Sequence, residues 1–497
     1  MLPRGPRMFR TTGVDVLIKR FYHDGLAQAS YLIGCQKTGE ALVIDPNRDA
    51  EQYIAAASRE GVRITHVTET HIHADYLSGS RELAERSGAR LFLSAEGGTD
   101  WQYGFAGAAQ ATMLRDGDAI SVGNLRFDVL HTPGHTPEHV VFVVTDLPAS
   151  PHPVGAFTGD FIFVGDVGRP DLLERAANIE GTMRVAGAQL FDSLQRFVAR
   201  YPDYLQLWPG HGAGSACGKA LGAVPQSTLG YEKLANWALQ HDDRDAFVDA
   251  VLAGQPDPPP YFAIMKRLNR EGPAVLGHLP TPNHTAAARL DALLGTDATI
   301  VDIRRADAAA DRFIPGTLNL PLNKAFVGWA GWLVNYERDV YLLTDDGDDR
   351  AVRAAAAELA MIGIDRVVGW FGADAFSEWA VSGRAFDAVP QIDPSALDAA
   401  VRAGSVTLID VRAASEWDAG HIAGARHVPL GRLRPMLATL PRDTNLVLQC
   451  QAGSRSAIAA SLARQQGMAQ VANLRGGIVA WQDRQLPVEQ STETVVA

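Results

Sequence analysis

Cysteine is scarce in this chain of 497 residues, which has only Cys35, Cys217 and Cys450, placed far apart. Such a small, odd number excludes a disulfide framework and favours a reducing cytoplasm, where thiols serve reactivity or packing. Positive charge is also in short supply, since the formal net charge is −12 and the pI is about 5.6. This balance argues against a nucleic-acid-binding protein, which needs a basic face.

Long hydrophobic runs are missing as well. The sequence has no uninterrupted apolar stretch of about 18 residues, so we predict no membrane span. The first ten residues contain three arginines but no apolar segment behind them, so we expect no secretory signal. A hydrophobic content of 46% and a charged content of 21% are typical of a globular protein. The length predicts about three domains of ordinary size.

Residues 70–76, with the sequence THIHADY, form a dense polar motif. An apolar and β-branched run at 62–67 precedes it and a helix-forming stretch follows, which predicts a loop at the C-terminal end of a strand. His71, His73 and Asp75 offer nitrogen and oxygen ligands suited to a transition metal. The motif therefore indicates a metal site, and the alternative is a polar turn with accidental histidines.

Three later stretches extend this motif. His135 lies in a turn rich in proline and glycine, Asp160 directly follows a predicted strand, and His211 lies in a glycine-rich loop. A lone histidine is more often a satisfied core or surface residue, so each stretch alone is weak. The four stretches in this order resemble the metallo-β-lactamase fold, an αββα sandwich whose strand-end loops converge on a metal.

The residue at position 76 bears on the number of metals. Zinc hydrolases of this superfamily, such as glyoxalase II, often carry His-x-His-x-Asp-His and hold two metals. Here Tyr76 replaces the last histidine, which weakens a second site that Asp75 and His211 would share. In that case His73, Asp75 and His211 would orient the ligands or bound water.

The persulfide dioxygenases of the same fold hold one ferrous ion. The resemblance implies that His71, His135 and Asp160 bind one Fe(II) per chain, with zinc as the alternative. Two histidines and one carboxylate leave three positions open, enough for O₂ and a substrate sulfur. The stretch after Asp160 also resembles these enzymes, in which an arginine nine residues after the ligand lies near the substrate. Arg169 could bind a carboxylate of a glutathione-like thiol, and the alternative is a structural salt bridge.

The C-terminal part contains an internal repeat. Residues 300–304 (IVDIR) recur as 408–412 (LIDVR), and the offsets to a later glycine and proline are the same in both copies. Each copy alternates short strands with alanine-rich helices. The repeat predicts two consecutive α/β domains with parallel sheets.

The second copy contains a short apolar strand, then Cys-x-x-Gly-x-Arg, then a helix, which is the rhodanese arrangement. A loop that curls over Cys450 points backbone N–H groups at its sulfur, and the helix N-terminus adds positive potential. Both lower the pKa of the thiol, so the thiolate can accept a sulfane sulfur. The alternative is a buried, inert cysteine. The predicted substrate-binding loop consists of Gln451, Ala452, Gly453, Ser454 and Arg455.

The two remaining cysteines and the first copy of the repeat give three further predictions. Cys217 follows His211 by six residues, so we predict that its thiol lies near the metal and carries a persulfide. Lys219 is expected to favour the thiolate form. The alternative is that Cys217 is a small packing residue. Cys35 continues a strand and is predicted to pack. The equivalent loop of the first copy, at 343–350, has four aspartates and no cysteine, so we predict a rhodanese fold without transferase activity.

The domain order resembles the persulfide dioxygenase–sulfurtransferase fusions of bacterial sulfide detoxification. The fold class we predict is a metallo-β-lactamase αββα sandwich followed by two rhodanese-like α/β domains. The predicted segments are an extension (1–16), the dioxygenase domain (17–255), a linker (256–285), the cysteine-less rhodanese-like domain (286–388), the rhodanese domain with Cys450 (389–490) and a tail (491–497).

The resemblance implies oxidation of a glutathione, coenzyme A or similar persulfide with O₂ to sulfite. Sulfur transfer at Cys450 then gives thiosulfate. We expect a cytoplasmic protein without nucleic-acid or membrane partners. A homo-oligomer is left open. The alternatives are a thioester hydrolase of the glyoxalase II kind and a non-catalytic sulfur carrier or sensor.

Overall fold

The computed structural model describes residues 16–172, 174 and 181–490. The chain divides into two compact units, one of residues 1–258 with 262–277 and one of residues 259–261 with 278–497. Residues 262–277, which lie inside the predicted linker, are thus part of the first unit. The predicted tail, and all of the predicted extension except residue 16, lie outside the described residues. Among the described residues, no helix is long and apolar enough to cross a membrane.

The first unit contains two six-stranded β-sheets and helices on their outer faces. The first sheet consists of β1 (Val16–His23), β2 (Gln28–Cys35), β3 (Glu40–Ile44), β4 (Arg63–Thr68), β5 (Arg90–Ser94) and β6 (Thr112–Leu114). The second consists of β7 (Ala119–Val122), β8 (Leu125–His131), β9 (Val140–Asp146), β10 (Gly155–Gly159), β11 (Gln206–Pro209) and β12 (Ser227–Thr228). The helices are α1 (Ala50–Arg59), α2 (Ser80–Ser87), α3 (Met183–Arg200), α4 (Leu229–Ala235), α5 (Arg244–Leu252) and α6 (Tyr261–Glu271), with 3₁₀ turns at Thr99–Trp101 and Trp237–Gln240.

Neighbouring strands in both sheets follow the order of the chain, from β1 to β6 and from β7 to β12. The neighbours β3 and β4 are parallel, as are β10 and β11. Parallel strands end at the same edge of a sheet, so the loops that follow them lie side by side. This topology places the loop after β3 next to the predicted metal loop after β4.

Alternate residues of the central strands enter different cores. In β9, Phe142 packs between the two sheets, whereas Val141 and Val143 pack against α3 and α5. Successive side chains of a strand point to opposite faces, so a strand covered on both sides is apolar throughout. On the other side, Tyr53 of α1 and Leu83 of α2 pack against the first sheet. The predicted αββα layering is therefore confirmed.

The second unit contains two parallel sheets, one for each copy of the repeat, and a small two-stranded antiparallel sheet. Its strands are β13 (Thr299–Asp302), β14 (Leu318–Asn319), β15 (Val340–Leu343), β16 (Val367–Phe371), β17 (Gln391–Ile392), β18 (Thr407–Asp410), β19 (His421–Ile422), β20 (Arg426–His427), β21 (Asn445–Gln449), β22 (Gln470–Leu474) and β23 (Val488–Glu489). Its helices are α7 (Leu290–Leu294), α8 (Ala306–Asp311), α9 (Phe326–Leu333), α10 (Arg350–Met361), α11 (Ala373–Val381), α12 (Pro394–Arg402), α13 (Ala414–Ala419), α14 (Leu433–Leu437), α15 (Ser454–Gln465) and α16 (Gly477–Asp483), with 3₁₀ turns at Ala287–Arg289 and Leu430–Arg432.

The repeat extends to the side chains at the ends of β13 and β18. Arg304 donates through Nη2 to Asp302 Oδ2 over 2.6 Å, and Arg412 makes the same contact with Asp410. Both arginines also donate through Nε to the same carboxylate. All four side chains are buried, so each charge is paired within two residues of the strand end. The two copies therefore share a local ion pair as well as a parallel sheet.

Candidate metal centre and Cys450 loop

Asp45, at the end of β3, holds the predicted metal loop in place. Its carboxylate accepts hydrogen bonds from the backbone N–H of Thr70 (2.7 Å) and from the Thr70 hydroxyl (2.9 Å). The hydroxyl has a single hydrogen, so His71 Nδ1, 2.9 Å from Thr70 Oγ1, must be the donor in that contact. The Nε2 atom of His71 is then left with a free lone pair, which is the form that binds a metal.

His71, His135 and Asp160 converge from three different loops. The Nε2 atoms of His71 and His135 lie 3.9 and 3.4 Å from Asp160 Oδ2. His135 Nδ1 donates to the carbonyl oxygen of Arg169 (3.0 Å), so its Nε2 atom is also free. These three side chains, which sequence reasoning predicted as ligands, are all buried, and their ligand atoms lie within 4.8 Å of one another.

The donor set fits a metal ion. Neither carboxylate oxygen of Asp160 has a hydrogen-bond partner among the described residues, although both are buried. An ionised carboxylate is costly to bury unless a cation compensates it. Burial and the neighbouring imidazoles keep the pKa of His71 well below its usual value, and burial also lowers the pKa of His135. Burial opposes ionisation of Asp160, but the surrounding histidines outweigh it and lower its pKa. The site thus presents two neutral imidazoles and a carboxylate.

Two residues that sequence reasoning missed support this site. The Nε2 atom of His139 accepts a hydrogen bond from the backbone N–H of Asp160 (3.1 Å). Glu138 Oε1 accepts one from the backbone N–H of Ile72 (2.7 Å), between the two histidines of the motif. Both residues follow His135 closely in the sequence. Only the fold shows that they contact the loops of Asp160 and His71.

A third missed residue, Asn269, comes from α6. Its side-chain amide donates to the carbonyl oxygens of His73 (2.7 Å) and Tyr76 (2.8 Å). Its Oδ1 atom accepts from the backbone N–H of Ser78 (2.9 Å). The three bonds fix the second half of the metal loop from a helix about 190 residues away in the chain. Nothing in the sequence around Asn269 indicated this contact.

His73 and Tyr76 both contact Asp45. His73 Nε2 lies 3.1 Å from Asp45 Oδ1, and the Tyr76 hydroxyl donates to the carbonyl oxygen of Asp45 (3.2 Å). Burial alone would lower the pKa of His73, but the carboxylates of Asp45, Glu69 and Asp75 raise it to about 9. The Nδ1 atom of His73 is buried without a hydrogen-bond partner among the described residues, and the orienting role of His73 stays a prediction.

Asp75, His211 and Cys217 form a second cluster beside the first. His211 Nε2 lies 3.3 Å from Asp75 Oδ2 and 3.5 Å from Asp160 Oδ1, while its Nδ1 atom donates to the carbonyl oxygen of Ala27. The thiol of Cys217 lies within 4.8 Å of the ligand atoms of Asp75 and His211. The structure thus brings Cys217 next to His211, as expected from their spacing.

Lys219 does not contact Cys217, contrary to the expectation from their spacing. Its ammonium group donates to the carbonyl oxygens of Ala250 and Ala253 and lies over the ring of Trp237. Burial and the nearby carboxylates of Asp75 and Asp160 raise the pKa of the Cys217 thiol well above its usual value. These surroundings therefore favour the protonated form of the Cys217 thiol. Cys35, predicted to pack, is buried in the core between the sheets.

Arg169 is fully buried and forms a salt bridge. Its Nε and Nη2 atoms donate to the two carboxylate oxygens of Asp171, each over 2.7 Å. A third donor, Nη1, reaches the carbonyl oxygen of Ala216, next to Cys217. This is the salt bridge that the sequence analysis gave as the alternative to a substrate contact. Arg169 therefore has two contacts near the site. Its side chain binds the loop of Cys217, and its backbone carbonyl oxygen accepts the hydrogen bond from His135.

The loop after β21 curls over Cys450 as its sequence suggests. The backbone N–H of Gly453 donates to Cys450 Sγ (3.1 Å), and the Ser456 hydroxyl donates to the same atom (3.3 Å). Gly453 has a φ of +97°, a conformation that side-chain-bearing residues rarely adopt. Arg455, at the start of α15, donates to both carboxylate oxygens of Glu416 (2.6 and 2.7 Å). The arrangement directs two donors at the sulfur.

Comparisons with known proteins match both domains to known families. A model of the metallo-beta-lactamase superfamily matches residues 23–207, and a model of the rhodanese-like domain matches residues 393–484. Over 204 residues the chain is 28% identical to the mitochondrial persulfide dioxygenase ETHE1 of Bos taurus, which covers 40% of this chain and 70% of that protein. Over 184 residues it is 33% identical to a hydroxyacylglutathione hydrolase of Polaromonas sp., which covers 37% of this chain and 61% of that protein.

A solved structure extends the likeness further along the chain. The crystal structure of a metallo-beta-lactamase from Staphylococcus aureus subsp. aureus COL is 43% identical, with a TM-score of 0.67, and covers 72% of this chain and 99% of that one. These families and the His-His-Asp site imply an enzyme that binds a metal and acts on sulfur-containing small molecules. The chain belongs to the metallo-β-lactamase superfamily and joins a domain with persulfide dioxygenase homologues to a C-terminal rhodanese-like domain.

Proposed function

We propose that this protein oxidises low-molecular-weight thiol persulfides with O₂ at a single Fe(II) and transfers sulfane sulfur at Cys450, so that thiosulfate is formed. The observation that carries the proposal is the convergence of His71, His135 and Asp160, where both oxygens of the buried carboxylate lack a hydrogen-bond partner among the described residues. The likeness to persulfide dioxygenases supports the reaction class. In this proposal residues 17–255 carry the oxidation and residues 389–490 the transfer.

In this proposal His71, His135 and Asp160 would hold one metal ion. When bound, Fe(II) would supply the activation of O₂, whereas zinc on the same ligands would not undergo redox change. Thr70 and the carbonyl oxygen of Arg169 hold the two imidazoles in the metal-binding tautomer. Tyr76 is engaged with Asp45, which supports its role as a non-ligand at the place where related hydrolases carry a histidine.

The transfer step at Cys450 needs no further oxidant. The thiolate attacks the terminal sulfur of an organic persulfide, a new S–S bond forms, and the S–S bond of the donor breaks. The departing thiolate keeps the electron pair and takes a proton from water. Sulfite then attacks the outer sulfur on Cys450, which forms thiosulfate and restores the thiolate. Gly453 and Ser456 stabilise the negative sulfur by donating to it.

The substrate carrier we propose is glutathione, coenzyme A or a similar thiol. Linking the two steps in one chain raises the effective concentration of sulfite near Cys450. The three cysteines, none of which is paired, support a reducing compartment such as the cytoplasm.

Iron content and oxygen consumption test the oxidation directly. Protein loaded with one Fe(II) per chain should consume O₂ when glutathione persulfide is added, because the three ligands leave open positions for both reactants. Oxygen uptake is measured with an electrode, with protein loaded with zinc as the control. Fully iron-loaded protein without O₂ uptake would contradict the proposed oxygenase.

A second candidate function is thioester hydrolysis. It is supported by the likeness to hydroxyacylglutathione hydrolases and by the cluster of Asp75 and His211, which could help to hold a second metal. A hydrolase would cleave lactoylglutathione, whereas the proposed oxygenase would not. The third possibility, a sulfur carrier, would form a stable persulfide on Cys450 without turnover in either assay.

Cys217 is expected to accept sulfur at the metal site. Its thiol is buried next to Asp75 and His211, and the same burial raises its pKa, so only a reactant held beside these residues is expected to react with it. After treatment of the iron-loaded protein with glutathione persulfide, mass spectrometry of peptides should show one added sulfur at Cys217. Cys35, buried in the core between the sheets, is the control and should stay unmodified. Labelling at Cys450 with none at Cys217 would favour packing as the role of Cys217.

A further inference from the structure

Arg455 and Glu416 form an ion pair beside the Cys450 loop. The two terminal nitrogens of Arg455 donate to the two carboxylate oxygens of Glu416, over 2.6 and 2.7 Å. Glu416 Oε2 also accepts from the backbone N–H of Ala413 (3.2 Å), which holds the carboxylate at the start of α13. The carboxylate therefore occupies the pair of guanidinium donors that would otherwise bind a small oxyanion with two bonds.

The charge of Arg455 acts at the sulfur of Cys450. Arg455 directly precedes Ser456, whose hydroxyl donates to Cys450 Sγ (3.3 Å). The hydrogen bonds to Glu416 raise the pKa of the guanidinium, burial opposes this, and the negative charges of Glu416 and Cys450 add to the increase. Such an interaction is mutual, so the guanidinium in turn favours negative charge at the sulfur.

A second guanidinium near the loop is also paired. Arg412 Nη1 lies 3.5 Å from Gln451 Oε1, next to Cys450. The Nε and Nη2 atoms of Arg412 donate to the carboxylate of Asp410, and both side chains are buried. Arg412 and Arg455 thus each have a carboxylate partner, and the charges of the two pairs sum to zero. A doubly charged anion therefore gains little attraction from them.

The carboxylate at position 416 occurs only in the copy that carries the thiol. Asp302 and Asp410 end β13 and β18, and the residue six positions later is Ala308 in the first copy and Glu416 in the second. The ion pair at the strand end is common to both copies, whereas the second carboxylate accompanies Cys450. This difference associates Glu416 with the sulfur chemistry instead of with the fold.

We propose that Glu416 sets the charge at Cys450 and thereby lowers the affinity of this site for doubly charged sulfur anions. By keeping Arg455 paired, it weakens the binding of thiosulfate, so that thiosulfate leaves as a product instead of serving as the sulfur donor. Sulfite can also be bound weakly, because it is produced in the same chain. Glu416 acts through Arg455 and is a positioning residue. The inference rests on the transferase part of the proposed function and adds the residue that disfavours thiosulfate as the donor.

Alkylation of Cys450 with two reagents of similar size tests the charge. Iodoacetate carries one negative charge and iodoacetamide none, so the ratio of their rate constants reports the potential at the sulfur, whatever the fraction of thiolate. In the full-length Glu416→Gln protein this ratio should rise about fivefold, because the charge of Arg455 is no longer balanced. In the Arg455→Gln protein it should fall, because Glu416 is then left without its partner. Both rates are measured by mass spectrometry of the Cys450 peptide.

The matched control is Asp398→Asn, which removes one negative charge from an ion pair with Arg402 in the same copy. Both residues of this pair lie on α12, and the ratio should equal that of the parent protein. The increase in the Glu416→Gln protein should largely disappear at about 1 M salt, where the screening length is about 3 Å, whereas damage to the fold would not respond to salt in this way. An unchanged ratio in the Glu416→Gln protein, or a shift of both variants in the same direction, would overturn the proposal.

Sulfur transfer from thiosulfate to cyanide gives the second measurement. In the Glu416→Gln protein the KM for thiosulfate should fall about fivefold while kcat stays within about twofold, whereas structural damage would lower kcat. An unchanged or higher KM would overturn the role of Glu416 in donor selection. If the parent protein transferred no sulfur from any donor, only the proposed transferase would be contradicted, because the alkylation ratio requires no transfer.

Discussion

His71→Ala should leave the purified protein with almost no iron and lower its O₂ uptake at least roughly 100-fold, since even groups that only orient metal ligands typically contribute 10–100-fold. The change removes one of three proposed ligands and leaves the buried carboxylate of Asp160 with one imidazole fewer to balance it. Iron is measured by mass spectrometry of the metal, and O₂ uptake with glutathione persulfide. Sulfur transfer from thiosulfate at Cys450 should persist, because Cys450 and the backbone N–H that donates to its sulfur lie in the second unit.

The matched control for this variant is His66→Ala. His66 is also a buried histidine and lies on β4 just before the metal loop, but it stacks on Phe92 and contacts Arg90 instead of the candidate ligands. The His66→Ala protein should keep its iron. This result would distinguish the loss of a ligand from a general loss of stability. Stoichiometric iron in the His71→Ala protein would disprove the assignment of His71 as a ligand.

Cys450→Ser should change the product of the reaction from thiosulfate to sulfite. The serine hydroxyl is not ionised at neutral pH and cannot hold a sulfane sulfur, so the step that consumes sulfite is lost. We expect enzymatic thiosulfate formation to fall to the rate of the reaction without protein, while O₂ uptake stays within about twofold. Both products are separated and quantified after derivatisation and chromatography.

Cys35→Ser provides the matched control for this substitution. Cys35 is buried at the end of β2, and its sulfur accepts a hydrogen bond of 3.4 Å from the backbone N–H of Asn124. This variant should form thiosulfate like the parent protein. If Cys450→Ser also formed thiosulfate at the parental rate, the role of Cys450 in the transfer would be refuted.

The fold and the centre of each candidate site were predictable from local patterns. The αββα layering was expected from the resemblance of the four ligand-bearing stretches to the metallo-β-lactamase fold, and the repeat was expected from the equal offsets of Asp302 and Asp410 to a later glycine and proline. The metal loop and the Cys450 loop are short motifs in which the chemically active residues lie close together in the sequence. Their local geometry depends on neighbours a few residues away, as the contact of Gly453 with Cys450 shows.

The supporting contacts were not predictable in the same way. Asn269 holds a loop about 190 residues earlier in the chain, and it lies in a segment predicted to be a linker. Lys219 was expected to act on a thiol two residues away, but its long side chain reaches carbonyl groups on α5 and the residue after it. Flexible side chains choose their partners by the packing around them, which a sequence pattern does not describe.

The sequence by itself determined which residue types are available: two histidines and a carboxylate for a metal, and a cysteine under a glycine-containing loop. Only the tertiary structure decided which atoms are free to act. It places Asp45 so that the Thr70 hydroxyl is occupied and the Nε2 atom of His71 is left open. It also engages Arg169 with Asp171 and Arg455 with Glu416. The physical reason is that hydrogen bonds and burial depend on the register of parallel strands and on helix packing, which join residues far apart in the chain.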